Sequence, residues 1–143
     1  MESLIQKNNL NAQDLRIIDA NLNRLREGIR VIEDIMRYGF NHKDFALSLK
    51  HLRHKCKYHS STLLKVRDST KDVLKTSTTD EQKRENLENI CMVNFKRTQE
   101  SARVLEEILK LENFLCSEHF KQIRYTLYQL EKEILIQCFN LHQ

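Results

Sequence analysis

Residues 21–35 return, 73 positions further on, as residues 94–108. Asn21, Arg24, Glu27, Arg30, Val31 and Glu33 meet Asn94, Arg97, Glu100, Arg103, Val104 and Glu106. Gly28 meets Ser101, Asp34 meets Glu107, and Ile35 meets Ile108. Core packing alone would repeat apolar residues and let the polar ones drift. Here the polar residues keep identity and spacing, which asks for a chemical reason. The repeat continues downstream, where residues 49–53 resemble residues 120–124 at an offset of 71. A helix followed by a second helix has therefore been doubled.

The remaining patterning agrees. Ile18, Leu22, Leu25, Ile29, Ile32 and Met36 recur at helical spacing on one side of the wheel. Asn11, with Asp14 three residues on, reads as an N-cap, and Leu10 and Leu15 as its hydrophobic staple. The first helix is expected over 12–38, closed by Gly39. Asn41 and Asp44 predict a second helix that carries Leu47, Leu49, Leu52, Cys56 and Leu63 and reaches about Lys65. The Ser-, Thr- and Asp-rich segment 67–79 reads as a loop. Thr79 and Gln82 predict the start of a third helix to Lys110, and Ser117 the cap of a fourth ending near Leu141. The expectation is an all-α bundle: two duplicated helical hairpins related by a pseudo-two-fold, in one domain (1–143) with repeats at about 11–66 and 80–141.

Composition narrows the function. Two Gly and no Pro argue against a phosphate-cradling Gly-rich loop. No apolar run reaches the ~20 residues of a membrane span, and no basic-then-apolar leader opens the chain, so a cytoplasmic protein is expected. The four cysteines lack CxxC spacing and read as reduced core thiols. A net charge of +4 from 24 basic and 20 acidic residues suits anionic small molecules. The intermixing disfavours nucleic acid, which prefers a basic stripe.

On the wheel, Arg24, Glu27, Val31 and Asp34 form a stripe off the core face, with Asn21 and Gly28 between. The small residue in each copy allows another helix backbone to approach, which would gather two Asn/Arg/Glu sets around one cleft or two. Arg and Glu three or four apart are also ordinary helix-surface supports, worth a few tenths of a kcal/mol. A buried polar network fixing how the hairpins pack is a further reading. His51, His54 and His59 lack a third ligand at metal spacing and read as surface histidines. Tyr125 and Tyr128, one turn apart, suit packing or a surface for a heteroaromatic ring. Asp68 and Asp72 suit turns, or Mg²⁺ held jointly with substrate phosphates.

The segments ANLNRLREGIRVIED, LKHLRH, RDSTKDV, NFKRTQESARVLEE and RYTLYQLEK, in this order, resemble a small all-helical domain of thiamine biosynthesis. That family occurs free-standing or fused to thiamine phosphate synthase. The resemblance covers about 19–132. It implies a kinase that phosphorylates hydroxymethylpyrimidine phosphate to the diphosphate with ATP and Mg²⁺. Leu74 stands where the family places a glycine, and Ser101 where it has a small apolar residue. The resemblance does not extend to the synthase barrel, so joining of pyrimidine to thiazole is not expected from this chain. On this reading Arg24, Arg30, Arg97 and Arg103 include the phosphate clamps. Glu27 and Glu100, with Asp68 and Asp72, serve the metal or orient those arginines. Asn21, Asn94, Arg53, Arg67, Arg124 and Tyr125 contact substrate. The partners are small molecules, and a homodimer is compatible with the pattern. The rival class is a non-catalytic helical adaptor or regulatory subunit that binds a partner protein through the repeated face.

Overall fold

The computed structural model describes residues 9–60 and 62–140. All regular structure among them is helical. Helix α1 spans Ala12–Asp34 and runs on through a π-helical turn, Ile35–Gly39. Helix α2 is Lys43–Lys55, followed by the short helices α3 (Leu63–Val66) and α4 (Thr79–Gln82). Helix α5 is Leu87–Ile108, tightening into a 3-10 turn at Leu109–Leu111, and α6 is Phe114–Phe139.

Helices α1 and α5 form the centre, packed on each other; α2 and α3 lie on α1, and α6 lies on α5. The predicted stripe of α1 is the core: Ile18, Leu25, Ile29, Ile32 and Met36 are fully buried, and Leu22 nearly so. They meet Phe95, Leu105, Leu109, Phe120, Leu127 and Ile134 from the other hairpin. Asn11 caps α1 as expected, its side chain accepting from the Asp14 amide while Asp14 accepts from the Asn11 amide. Both Leu10 and Leu15 are buried beside this cap.

Several ends differ from expectation. No glycine takes a positive φ, so Gly39 is not the reversing residue; Asn41 is, at φ 50°. That displaces the cap of α2 to His42, whose Nδ1 accepts from the Phe45 amide at 3.1 Å while its ring stacks on Phe45. Helix α2 stops at Lys55 rather than Lys65, because other helices take its last carbonyls. Arg26 donates to the Cys56 carbonyl at 3.2 Å, and His119 Nε2 lies 2.7 Å from the Lys55 carbonyl. Leu47, on the outer face of α2, is exposed, while Leu49, Leu52, Cys56 and Leu63 are buried.

The third helix is broken. Thr78, not Thr79, accepts from the Glu81 amide and starts only α4. Asn86 then caps α5 by accepting from Asn89. Ser117 does not cap α6 either: Asn113 accepts from the Cys116 amide, and buried Ser117 donates to the Glu106 carbonyl at 2.8 Å. No helix among the described residues is long and apolar enough to cross a membrane.

Candidate active site

The absence of a side chain at Gly28 brings α1 and α5 together. A Cβ there would lie 2.5 Å from Thr98 Cγ2 and 3.7 Å from the Asn94 carbonyl oxygen. Flanking this approach, a groove of about 500 Å³ runs between the helices. Five matched pairs of the repeat line it: Asn21 and Asn94, Arg24 and Arg97, Glu27 and Glu100, Gly28 and Ser101, Val31 and Val104. Glu81 of α4 completes the wall.

The two asparagines are held alike. Asn21 Nδ2 donates to the Ile17 carbonyl at 2.9 Å, and Asn94 Nδ2 to the Ile90 carbonyl at 2.8 Å. Anchoring one amide hydrogen to the preceding helical turn orients the side chain and leaves its oxygen as an acceptor. The charged residues beside them are not anchored. Among the described residues, Arg24, Arg97, Glu27 and Glu100 make no hydrogen bond and no ion pair within 4 Å.

A second groove of about 490 Å³ adjoins the first and shares Asn21 and Arg24 with it. Its far wall is the loop after α3, carrying Arg67, Asp68, Ser69 and Asp72; its near wall is α1, from Gln13 through Asn23. Asp19, buried on α1, fastens the loop through a two-pronged pair, Arg67 Nε and Nη2 each donating to one carboxylate oxygen at 2.8 Å. That bond holds the Arg67 guanidinium above its already high value, so it stays charged. Arg16 Nη2 adds a bond to the Asp68 carbonyl at 3.1 Å. Asp68 and Asp72 mainly hold the loop itself. Asp68 accepts from the Thr70 hydroxyl and the Lys71 amide, Asp72 from the Leu74 amide. The Thr70 hydroxyl, helped by the Lys71 amide and the Lys71 and Arg16 charges, keeps the Asp68 carboxyl below the usual carboxylate range.

Five expected site residues lie elsewhere. Arg30 pairs with Asp34 at 3.1 Å and Arg103 with Glu107 at 3.0 Å, both on solvated faces and more than half exposed. These are i, i+4 helix supports. Arg53 grips Glu33 (2.8 and 3.3 Å) and Arg124 grips Glu106 (3.0 Å), each tying the second helix of a hairpin to its first. Glu33 is 2% exposed and Glu106 6%, so these arginines belong to the packing. Tyr125 lines neither groove; the Arg124 guanidinium lies 5.0 Å over its half-exposed ring.

Sequence reasoning missed Asp19, Arg16, Gln13, Asn23 and Glu81. Asp19 has no signal in the repeat, since its counterpart 73 residues on is Met92. Glu33 and Glu106 did repeat and were given no role. Among the described residues, no three His, Cys, Asp or Glu side chains are grouped to hold a metal.

Fold and groove together define an all-helical domain that gathers two copies of one polar set between its central helices. Residues 16–133 match the ThiD2 family, and the chain belongs to it. It is similar to the thiamine-phosphate synthase of Nostoc punctiforme, 36% identical over 94% of this chain and 39% of that protein. The thiamine-phosphate synthase of Prochlorococcus marinus subsp. pastoris is 39% identical over 90% of this chain and 38% of its own length. That of a Synechococcus species is 35% identical over 100% and 41%. The name of these relatives places them in thiamine biosynthesis, and this chain spans about two fifths of their length. No solved structure matches it.

Proposed function

We propose that this domain transfers the terminal phosphoryl group of ATP to hydroxymethylpyrimidine phosphate within thiamine biosynthesis. One observation carries the reading. Among the described residues, Arg24 and Arg97 alone of the six arginines that the duplication repeats or nearly repeats make no hydrogen bond or ion pair, and both line one groove. Both are exposed, so their N–H groups are free to bind an anionic ligand in pairs. A helix-surface role would have paired them in place, as it does Arg30 and Arg103.

The chemistry asks for such a site. The acceptor is a phosphate oxygen, largely ionised near neutrality because a monoester's second pKa is about 6. No strong general base is required. What opposes reaction is the repulsion between two polyanions, and planar guanidinium forks relieve it by binding phosphate oxygens in pairs. Arg24 and Arg97 hold and align the phosphates, and Asn21 and Asn94 present amide oxygens to the substrates.

The residues present fit magnesium brought in by nucleotide phosphates rather than a protein cage, since that ion takes one or two carboxylates plus phosphate oxygens. Glu27 and Glu100 are the uncommitted carboxylates. Asp68 and Asp72, the weaker metal candidates, are engaged in their own loop. When bound, the ion neutralises phosphate charge.

The adaptor reading expects an apolar repeated face, whereas this face is lined by Arg, Glu and Asn. Thermal melts test the choice. Mg-ATP and hydroxymethylpyrimidine phosphate should each raise the melting temperature, by about 2.7 kcal/mol of stabilisation at a hundredfold excess over Kd. No shift with either ligand refutes the assignment.

A further inference from the structure

The duplication makes the two halves look interchangeable, yet the two adjoining grooves are chemically unequal. In the groove between α1 and α5, two uncommitted guanidiniums, Arg24 and Arg97, stand with the carboxylates Glu27, Glu81 and Glu100. The described lining residues carry a formal charge of −1. A bare polyanion is repelled there, whereas a metal-bound polyphosphate, which offers cation and phosphate oxygens at once, satisfies both kinds of side chain. The loop groove balances Arg16, Arg24 and Arg67 against Asp19, Asp68 and Asp72, 3 − 3 = 0. All three of those carboxylates are already bonded, to Arg67, to Thr70 and Lys71, and to the Leu74 amide. What this groove offers a ligand is the whole Arg24 guanidinium and the N–H groups that these bonds leave over on Arg16 and Arg67, beside an apolar wall of Ile17 and Ala20 where a flat ring can lie.

Resting on the phosphotransfer reading above, we infer that the grooves divide the substrates: the metal-bound nucleotide polyphosphate lies between α1 and α5, and the heteroaromatic phosphate monoester lies under the loop that Asp19 fastens through Arg67. The shared residues Asn21 and Arg24 mark where the two meet, so transfer takes place beside them. Arg24 and Arg97, though copies of each other, then act unequally. Arg24 reaches both substrates and Arg97 only the nucleotide. The symmetry is broken by Asp19, whose place in the other half is held by Met92.

Two groove-filling variants test this without touching a charge or a buried position. Ile17 and Val31 are 39% and 38% exposed, so Ile17→Trp and Val31→Trp add bulk to one groove each while leaving the core alone. Titration calorimetry is run on the full chain with a magnesium-bound non-hydrolysable ATP analogue and with hydroxymethylpyrimidine phosphate. Ile17→Trp should weaken the pyrimidine phosphate at least tenfold and leave the analogue within twofold of wild type; Val31→Trp should do the reverse. The opposite pattern, equal weakening of both ligands by each variant, or no change in either, overturns the division of substrates while leaving phosphotransfer standing. Wild-type protein that binds neither ligand defeats phosphotransfer itself, and the division with it.

Discussion

Thr98 Cγ2 fills the space that a side chain on Gly28 would need, with only 2.5 Å to the nearest possible Cβ. Thr98 is fully buried, and its hydroxyl donates to the Phe95 carbonyl at 2.8 Å, so the methyl cannot swing away without losing that bond. Gly28→Ala should gain roughly 1 kcal/mol of helix propensity and lose about 1–3 kcal/mol to overpacking. The expected net is destabilisation of about 1 kcal/mol. Thr98→Ser removes the methyl and keeps the hydroxyl, so the Gly28→Ala and Thr98→Ser pair should recover the loss. Denaturant melts of the four proteins check this coupling; strict additivity would mean that the helices do not meet at Gly28.

The matched arginines separate by partner. Arg24→Ala and Arg97→Ala should each lower kcat/KM by several kcal/mol of transition-state stabilisation, on the order of 2.7–4 kcal/mol by analogy with a lost oxyanion donor. Both should stay within about 0.5 kcal/mol of wild-type stability. Arg30→Ala and Arg103→Ala should leave kinetics unchanged and cost about 0.3–0.5 kcal/mol of stability. Steady-state kinetics with parallel melts on the four variants compare the two classes.

The two buried bridges predict the opposite profile. Arg124→Ala strands Glu106 and should destabilise by about 3–5 kcal/mol. Arg53→Ala strands Glu33, whose side chain is as buried as that of Glu106, at 3% against 8%, and should cost a similar amount. Replacing both members, as in Glu106→Leu with Arg124→Leu, should cost less than Arg124→Ala alone. Urea unfolding gives the ordering, and a double variant worse than the single one would show that the pair contributes net stability.

Burial pushes the thiols of Cys56 and Cys91 up to about 12 from an ordinary 9. The folded-state values lie above the unfolded ones, so the associated stability is complete below pH 9 and is lost as pH rises towards 12. The wild-type protein should therefore lose on the order of a few kcal/mol over that range. Cys56→Ala and Cys91→Ala should be less stable at pH 7 but fall less steeply above pH 9. Identical slopes in wild type and variants would show that these thiols do not titrate with unfolding.

Much of the architecture followed from local pattern, because the α1 stripe and its Asn11 cap depend on contacts within a few residues. The early end of α2 did not, since it is set by Arg26 and His119 reaching carbonyls 30 and 64 residues away in sequence. The start of α4 turns on which of two adjacent threonines caps, and α5 begins afresh at its own cap, Asn86, choices that propensity does not resolve. At the groove, doubling singled out five pairs of lining residues but could not tell a waiting arginine from a paired one. Arg24 and Arg30 have the same repeat status and differ only in whether Asp34 is within reach. Asp19 escaped because the feature that made the rest visible, a second copy, is missing for it.

The most direct measurement is a mass-resolved product assay with purified protein, Mg-ATP and hydroxymethylpyrimidine phosphate, run on the wild type and on Arg24→Ala combined with Arg97→Ala. The account predicts that the wild type adds one phosphoryl group to the pyrimidine phosphate and that the double variant, folded by its melt, all but stops. A wild type that makes no diphosphate, or a double variant that makes it at the wild-type rate, would contradict it.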